Sequence, residues 1–477
     1  MENSYLYQVV SSITTQEKST LLAFLQSPYF NTGSTQEEII RLFQVLQWPS
    51  PLPDKATIYE HVFPGKKFVT GKLDKLMTEL NGLIRRFFLV ERYSSENNTF
   101  QQALDFATIL RERNLMTRYP QSIQTADKIL AENYQESVTY FYYAFRLAYE
   151  KHTNESHNNR IKGDLDIPAT LEHFDKYYVQ QRLELLNLLL LQGKFTALAI
   201  PSHLTSVDFL TGLVPEDSKN VTLKLAESIY LQLVAEKPSS ETMLLILNLL
   251  RENESTIDTE VLRDFYAYLR SICGMLVQNG ERSFLQLLHE IQRENLRNGF
   301  LFYQGKLAPS TYMGVAKVAI SVGETDWAFD FVENYKDQIF SEQDIEPFYF
   351  FNKSQCLFSI GKYEEALALL PETFTDLMYL LSCRRMELKL YYELDSPLLS
   401  YKIDAQKMYI SRISRQLISQ DARKLESNFI NILLQLSQCP PHDTARIDKI
   451  TARVEEKKLV AERDWLLEKL SQLRSKK

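Results

Sequence analysis

From about residue 100 onward the chain repeats one pattern: a run with apolar side chains at helical spacing, a short polar or glycine break, then another run. It predicts helices over 101–114, 117–133, 136–151, 168–192, 203–213, 217–236, 239–252, 257–279, 281–298, 309–322, 325–338, 344–360, 362–371, 373–394, 397–415, 417–437 and 443–474. No stretch alternates apolar and polar residues between turn signals, so no strand is expected. Glycine and proline number only 14 and 16 in 477 residues. Long helices need little of either, whereas turn-rich β folds and nucleotide-binding α/β folds need more glycine. The length exceeds what one compact core supports, so several domains or a stack of repeats is expected.

Residues 1–95 read as an N-terminal helical domain. Thr14, Thr15 and Glu17 suit a helix start, Ser27-Pro28 ends that helix, and Trp48-Pro-Ser-Pro-Leu-Pro53 is a rigid break. The longest helix of this part should run from about Thr70 to Tyr93. A helical-hairpin array over 100–299 should follow, with a polar connector at 151–166, and then a region 300–477 with more regular repeats and a capping helix.

Two segments carry the repeat text. Gly361-Lys-Tyr-Glu-Glu-Ala366-Leu reads as a tight turn and second helix, with Phe350, Lys353, Ser354 and Leu357 on the helix before it. Upstream, Tyr312, Val315, Ala316 and Ala319 lead to Gly323-Glu-Thr-Asp-Trp-Ala328. These segments, around 309–338 and 347–371, resemble tetratricopeptide repeats, in which two antiparallel helices meet through small residues and a glycine turn. The resemblance implies an all-α protein: a right-handed α-α superhelix, a solenoid of helical hairpins, with the N-terminal helical domain in front. It also implies Ala328 and Ala366 as the residues that let paired helices approach closely, and a non-catalytic protein-binding scaffold or adaptor as the function. Ligands of such stacks usually lie along the first helices. By that resemblance Tyr312, Lys317, Phe350, Asn352 and Lys353 are the expected partner groove, for a protein or peptide.

Motifs for other chemistry are incomplete. Gly65–Lys72 (GKKFVTGK) has five residues between its glycines and Leu73 where a phosphate loop needs Ser or Thr. His152 and His157 lack carboxylate or cysteine partners at ligand spacing, and His173 and His289 stand alone on helices. Cys273, Cys356, Cys383 and Cys439 form no C-x-x-C, and Cys356 and Cys383 lie in apolar helix text suited to packing. No catalytic residues, metal or cofactor are therefore expected, and the chain is read as not an enzyme. The net charge of −7 shows no basic excess for nucleic acid. The rival reading is a DNA-associated regulator with a helix-turn-helix-like reader, built on Lys66, Lys67, Lys72, Lys75, Arg85 and Arg86; Asp74, Glu79 and Glu91 interrupt that set, so nucleic acid is not the expected partner. The most apolar runs, Leu183–Leu191 and Met243–Leu250, are shorter than the ~20 residues of a membrane span, so no membrane insertion and a cytoplasmic location are expected. A last helix from about Thr444 to Leu473 should cap the array.

Overall fold

The computed structural model describes residues 4–158, 167–195, 200–205, 210, 212–278, 280–341, 344–374, 376–414, 417–457 and 459–475. Among these the chain is all-helical apart from one tiny β hairpin. It divides into two compact units: Met1–Asn133 with Tyr149–Gly163, and Tyr134–Ala148 with Asp164–Lys477.

The first unit holds α1 (Tyr5–Ser12), α2 (Thr15–Gln26), α3 (Gln36–Val45), α4 (Lys55–Val62), α5 (Lys72–Ser94), α6 (Thr99–Glu112) and α7 (Tyr119–Glu132). α2 begins with a capping box: the Thr14 hydroxyl accepts from the Glu17 amide while the Glu17 carboxylate accepts from the Thr14 amide. The Asp54 carboxylate caps α4 by accepting from the Thr57 amide at 2.8 Å. The apolar faces of α1 to α5 close over one core running from Leu6 to Phe87. Within the same unit the α6–α7 pair is tied to Glu150 of α8 (Val138–Asn158), whose buried carboxylate accepts from Arg111 at 2.7 Å and Thr108 at 3.1 Å. α8 continues through Lys151–Asn158, so the start of the expected polar connector is helical; the remainder, 159–166, lies outside the described residues.

The second unit continues through α9 (Ile167–Phe195), α10 (Ser202–Thr205), α11 (Val221–Val234), α12 (Ser240–Glu252), α13 (Thr259–Gln278) and α14 (Phe284–Arg297). Then come α15 (Pro309–Ser321), α16 (Thr325–Tyr335), α17 (Glu346–Ser359), α18 (Tyr363–Leu369), α19 (Leu377–Glu393) and α20 (Leu399–Arg412). α21 (Gln420–Ser437), α22 (Thr444–Glu456) and α23 (Arg463–Ser475) complete it. From α11 each helix packs on its chain neighbour, and α15 touches α17 as α17 touches α19. The core follows that order in three clusters, from Val179 to Ile291, Leu301 to Leu390, and Leu381 to Leu473.

The structure corrects the sequence in further places; of the helix expected over 203–213, α10 ends at Thr205 and residues 210, 212 and 213 are turn. Phe302–Tyr303 pairs antiparallel with Lys306–Leu307, where no strand was expected. Gln304 and Gly305 both have positive φ (50° and 75°), the turn geometry that matches hairpin twist. The predicted last helix is also two helices. Among the described residues, α22 ends at Glu456 and α23 starts at Arg463, with Glu462 at φ 53° between them.

Candidate functional site

The joints that position the site share one geometry. α15 ends with the Gly323 amide donating to the Ile320 carbonyl and the Glu324 amide to Ala319. α17 ends with Gly361 donating to Phe358 and Lys362 to Leu357. This is the left-handed C-cap in which two inner carbonyls are satisfied and the chain reverses at once. The same pair of bonds closes α13, through Gly280 to Val277 and Glu281 to Leu276, and α19, through Asp395 to Tyr392 and Ser396 to Tyr391. Among the described residues the caps at 280, 323, 361 and 395 thus make four consecutive hairpins, α13/α14 to α19/α20. Only two carry the alanine five residues past the cap: Ala328 and Ala366 are fully buried, while Leu285 and Ser400 stand at the other two. In the α17/α18 hairpin the Ser354 hydroxyl donates to the Ala366 carbonyl at 2.8 Å, a close approach that a larger residue would obstruct.

The five predicted groove residues go to three places. Tyr312 and Asn352 are fully buried. The Tyr312 hydroxyl donates to the Val332 carbonyl at 2.6 Å. The Asn352 amide donates to the Phe348 carbonyl at 2.8 Å and to the Tyr379 hydroxyl at 3.3 Å. Tyr379 in turn donates to the Pro309 carbonyl at 2.6 Å, so Asn352 ties α17 to α19 from inside instead of pointing outward. Lys353 and its helix neighbour Tyr349 both reach Glu333 of α16 at 2.8 Å. Burial opposes charge on Glu333, yet Lys353 and Tyr349 outweigh it and hold that carboxyl below its usual range. Phe350 is half-buried beside the Tyr349 ring. Lys317 points elsewhere, with its ammonium 3.6 Å from the Glu462 carboxylate.

That contact leads to a site not read from the sequence. Glu462, 17% exposed in its side chain, lies 2.8 Å from Lys389 and 3.7 Å from Arg385 of α19, besides Lys317 of α15. Arg385 also pairs with the buried Glu426 of α21. Burial penalises the Glu462 charge, but Lys389, Lys317 and Arg385 together hold the carboxyl well below the usual range. Glu426 goes the other way: burial pushes it up and Arg385 offsets only part. The Lys389 ammonium lies 4.5 Å from the centre of the Phe358 ring and 5.6 Å from that of Trp465. Next to it the Trp465 indole donates to Glu393 at 2.7 Å, and Glu393 pairs with the buried Lys469 at 2.7 Å. The cluster fastens α23 and the turn before it onto α19 and α15. Arg385 and Lys389 stand four apart on α19 among Arg384, Glu387 and Glu393, so they carry no distinct signal, and nothing near residue 462 marks the carboxylate they hold.

Further candidates carry other signatures. Burial pushes the thiols of Cys273, Cys356 and Cys383 up to about 12, where a thiol stays protonated and packs. His289 is buried edge-on against Trp327, at 4.9 Å between ring centres, and burial lowers its affinity for a proton. A cleft of about 630 Å³ between α14 and α16 is lined by Arg293, Arg297, Trp327, Asp330 and Tyr335 among others, charges of both signs. Among the described residues no three His, Cys, Asp or Glu side chains are grouped to hold a metal, and no helix is long and apolar enough to cross a membrane. Comparison with protein-family models, curated proteins and solved structures finds no match to this chain.

Proposed function

We propose that the chain is a non-catalytic protein-binding scaffold whose second unit is a tetratricopeptide-like solenoid of helical hairpins. The observation that supports this best is the shared cap of four consecutive hairpins, together with first helices that touch in the order α15, α17, α19. Hairpins joined this way stack side by side and wind into a superhelix, because each needs its neighbours to bury its faces. The first helices then line one surface, and protein or peptide ligands are its natural occupants. The accessible polar and aromatic groups there are Tyr349, Phe350 and Lys353, while Lys317 is turned to Glu462; the buried Tyr312 and Asn352 set the spacing of the helices beneath. The protonated, buried thiols fit packing roles and not nucleophilic ones.

The test is affinity capture from native cells at endogenous level, with the full chain and with a folded Tyr349→Ala, Phe350→Ala, Lys353→Ala variant. A protein captured by the native chain and lost from the variant is the expected result. Equal capture by both would place the binding surface elsewhere, and substrate turnover by the purified chain without any specific partner would overturn the reading.

A further inference from the structure

Helix α9 is apolar on two opposite faces. Val179, Leu183 and Leu186 are buried in the core that α9 shares with α11. Turned away from them, Ile167, Leu171, Phe174, Tyr178, Leu185 and Leu188 remain 37% to 58% exposed. With Gln181 the outer run reads 167, 171, 174, 178, 181, 185, 188, steps of four and three residues without a break. That is the seven-residue repeat of a coiled-coil seam, and a straight helix facing solvent has no reason to keep it. Scattered exposed leucines are ordinary; an aligned row of six large apolar side chains marks an interaction surface. Phe174 rests against Phe145 of α8 at 5.2 Å and stacks with Tyr178 at 6.1 Å, so the rings are held in place, while Leu171, Leu185 and Leu188 are each more than half exposed.

We propose that this seam is a self-association surface on which α9 of a second copy of the chain lies antiparallel. A seam of this period fits best against another of the same period. A two-fold axis midway between Tyr178 and Gln181 sets Leu171 against the partner's Leu188, Phe174 against the partner's Leu185, and Tyr178 against the partner's Gln181. The two central apolar layers match, and Gln181 meets a phenol that can hydrogen-bond to it. Flanking the seam, Asp175 and Arg182 hold equivalent positions one heptad apart, so the same axis brings them opposite each other with unlike charge, twice along one flank. Parallel pairing would set Gln181 against itself and place Asp175 and Arg182 beside Thr170 and Tyr177 of the other copy instead of beside each other. Six half-exposed side chains on each copy bury on the order of 1,000 Å² in total, the low end for specific interfaces, so the dimer should be reversible.

Sedimentation equilibrium of the full chain across a concentration series tests the proposal. A concentration-dependent dimer is expected, and Leu185→Glu with Leu188→Glu should weaken it by at least about 100-fold while the helical circular dichroism is unchanged, since both side chains are exposed. Orientation is read by mixing a Phe174→Cys chain with a Leu185→Cys chain under oxidising conditions; the four native cysteines are buried. The antiparallel seam forms the mixed disulfide. A chain that stays monomeric at about 100 µM, well above the dissociation constant such an interface should have, would overturn the proposal. So would a dimer indifferent to the glutamates, or disulfides only between like chains.

Discussion

The α15–α18 hairpins and the closure of α23 onto α15 and α19 fasten helices in opposite ways. In the hairpins, buried alanines, a glycine turn and the Ser354–Ala366 hydrogen bond bring two helices together over a short stretch of chain. In the closure, three cations from two distant helices converge on Glu462, with Trp465 and Lys469 engaged beside them. Apolar joints of the first kind depend on volume, and the ionic joint depends on charge balance. The two should therefore respond to different perturbations.

The largest effect is expected from Glu462→Gln. The amide keeps the shape but takes the carboxylate from the largely buried Lys389 and leaves Arg385 with Glu426 alone, and should cost about 3 kcal/mol in a denaturant melt. An unchanged melt would mean that the cluster is not a joint. Ala366→Leu attacks the other kind of joint and should cost about 1–3 kcal/mol by overpacking, with no change in pH dependence. A variant as stable as the native chain would mean that the hairpin register is wrong.

Acid should separate the joints further. The Glu462 carboxyl is held below its unfolded value, so its contribution is complete above about pH 4.3 and is lost only as pH falls through the lower folded value. The Glu426 carboxyl is raised, so its ionisation works against folding as pH climbs from about 4.3 through the higher folded value. Hydrogen exchange in α23 should hold steady or slow on going from neutral pH to about 5, after correction for intrinsic rates, and quicken only in stronger acid. Loosening of α23 already between neutral pH and about 5 would contradict this assignment.

The smallest effects concern the caps. Gly361→Ala places a side chain at φ 78° and should destabilise by about 1 kcal/mol. At the equivalent cap, Asp395→Gly relieves φ 48° and should stabilise by up to about 1 kcal/mol. The same sign for both substitutions would break the equivalence of the two hairpins.

These joints also explain what could be read without a structure. The α15/α16 and α17/α18 hairpins were legible because a glycine that must take positive φ is followed by an alanine that must be small. The α13/α14 hairpin keeps the glycine but has Leu285 in place of the alanine, and α19/α20 turns through Asp395, so neither displays the full text. The break before α23 escaped because Lys457–Glu462 contains no glycine or proline. Glu462 finds Lys389 from 73 residues away, and no local pattern encodes that pairing. Tyr312 and Asn352 read as groove residues because a polar group in apolar helix text looks the same whether it faces outward or, as here, satisfies a buried carbonyl.

The claim that the second unit is a stack of hairpins is met most directly by hydrogen exchange on the full chain carrying Ala366→Leu. A stack has mainly nearest-neighbour coupling. Protection should fall most in α17 and α18, less in the touching α15, α16 and α19, and remain native in α11 and α12. Uniform loss across the whole second unit, or native protection in α17 and α18, would contradict the stack.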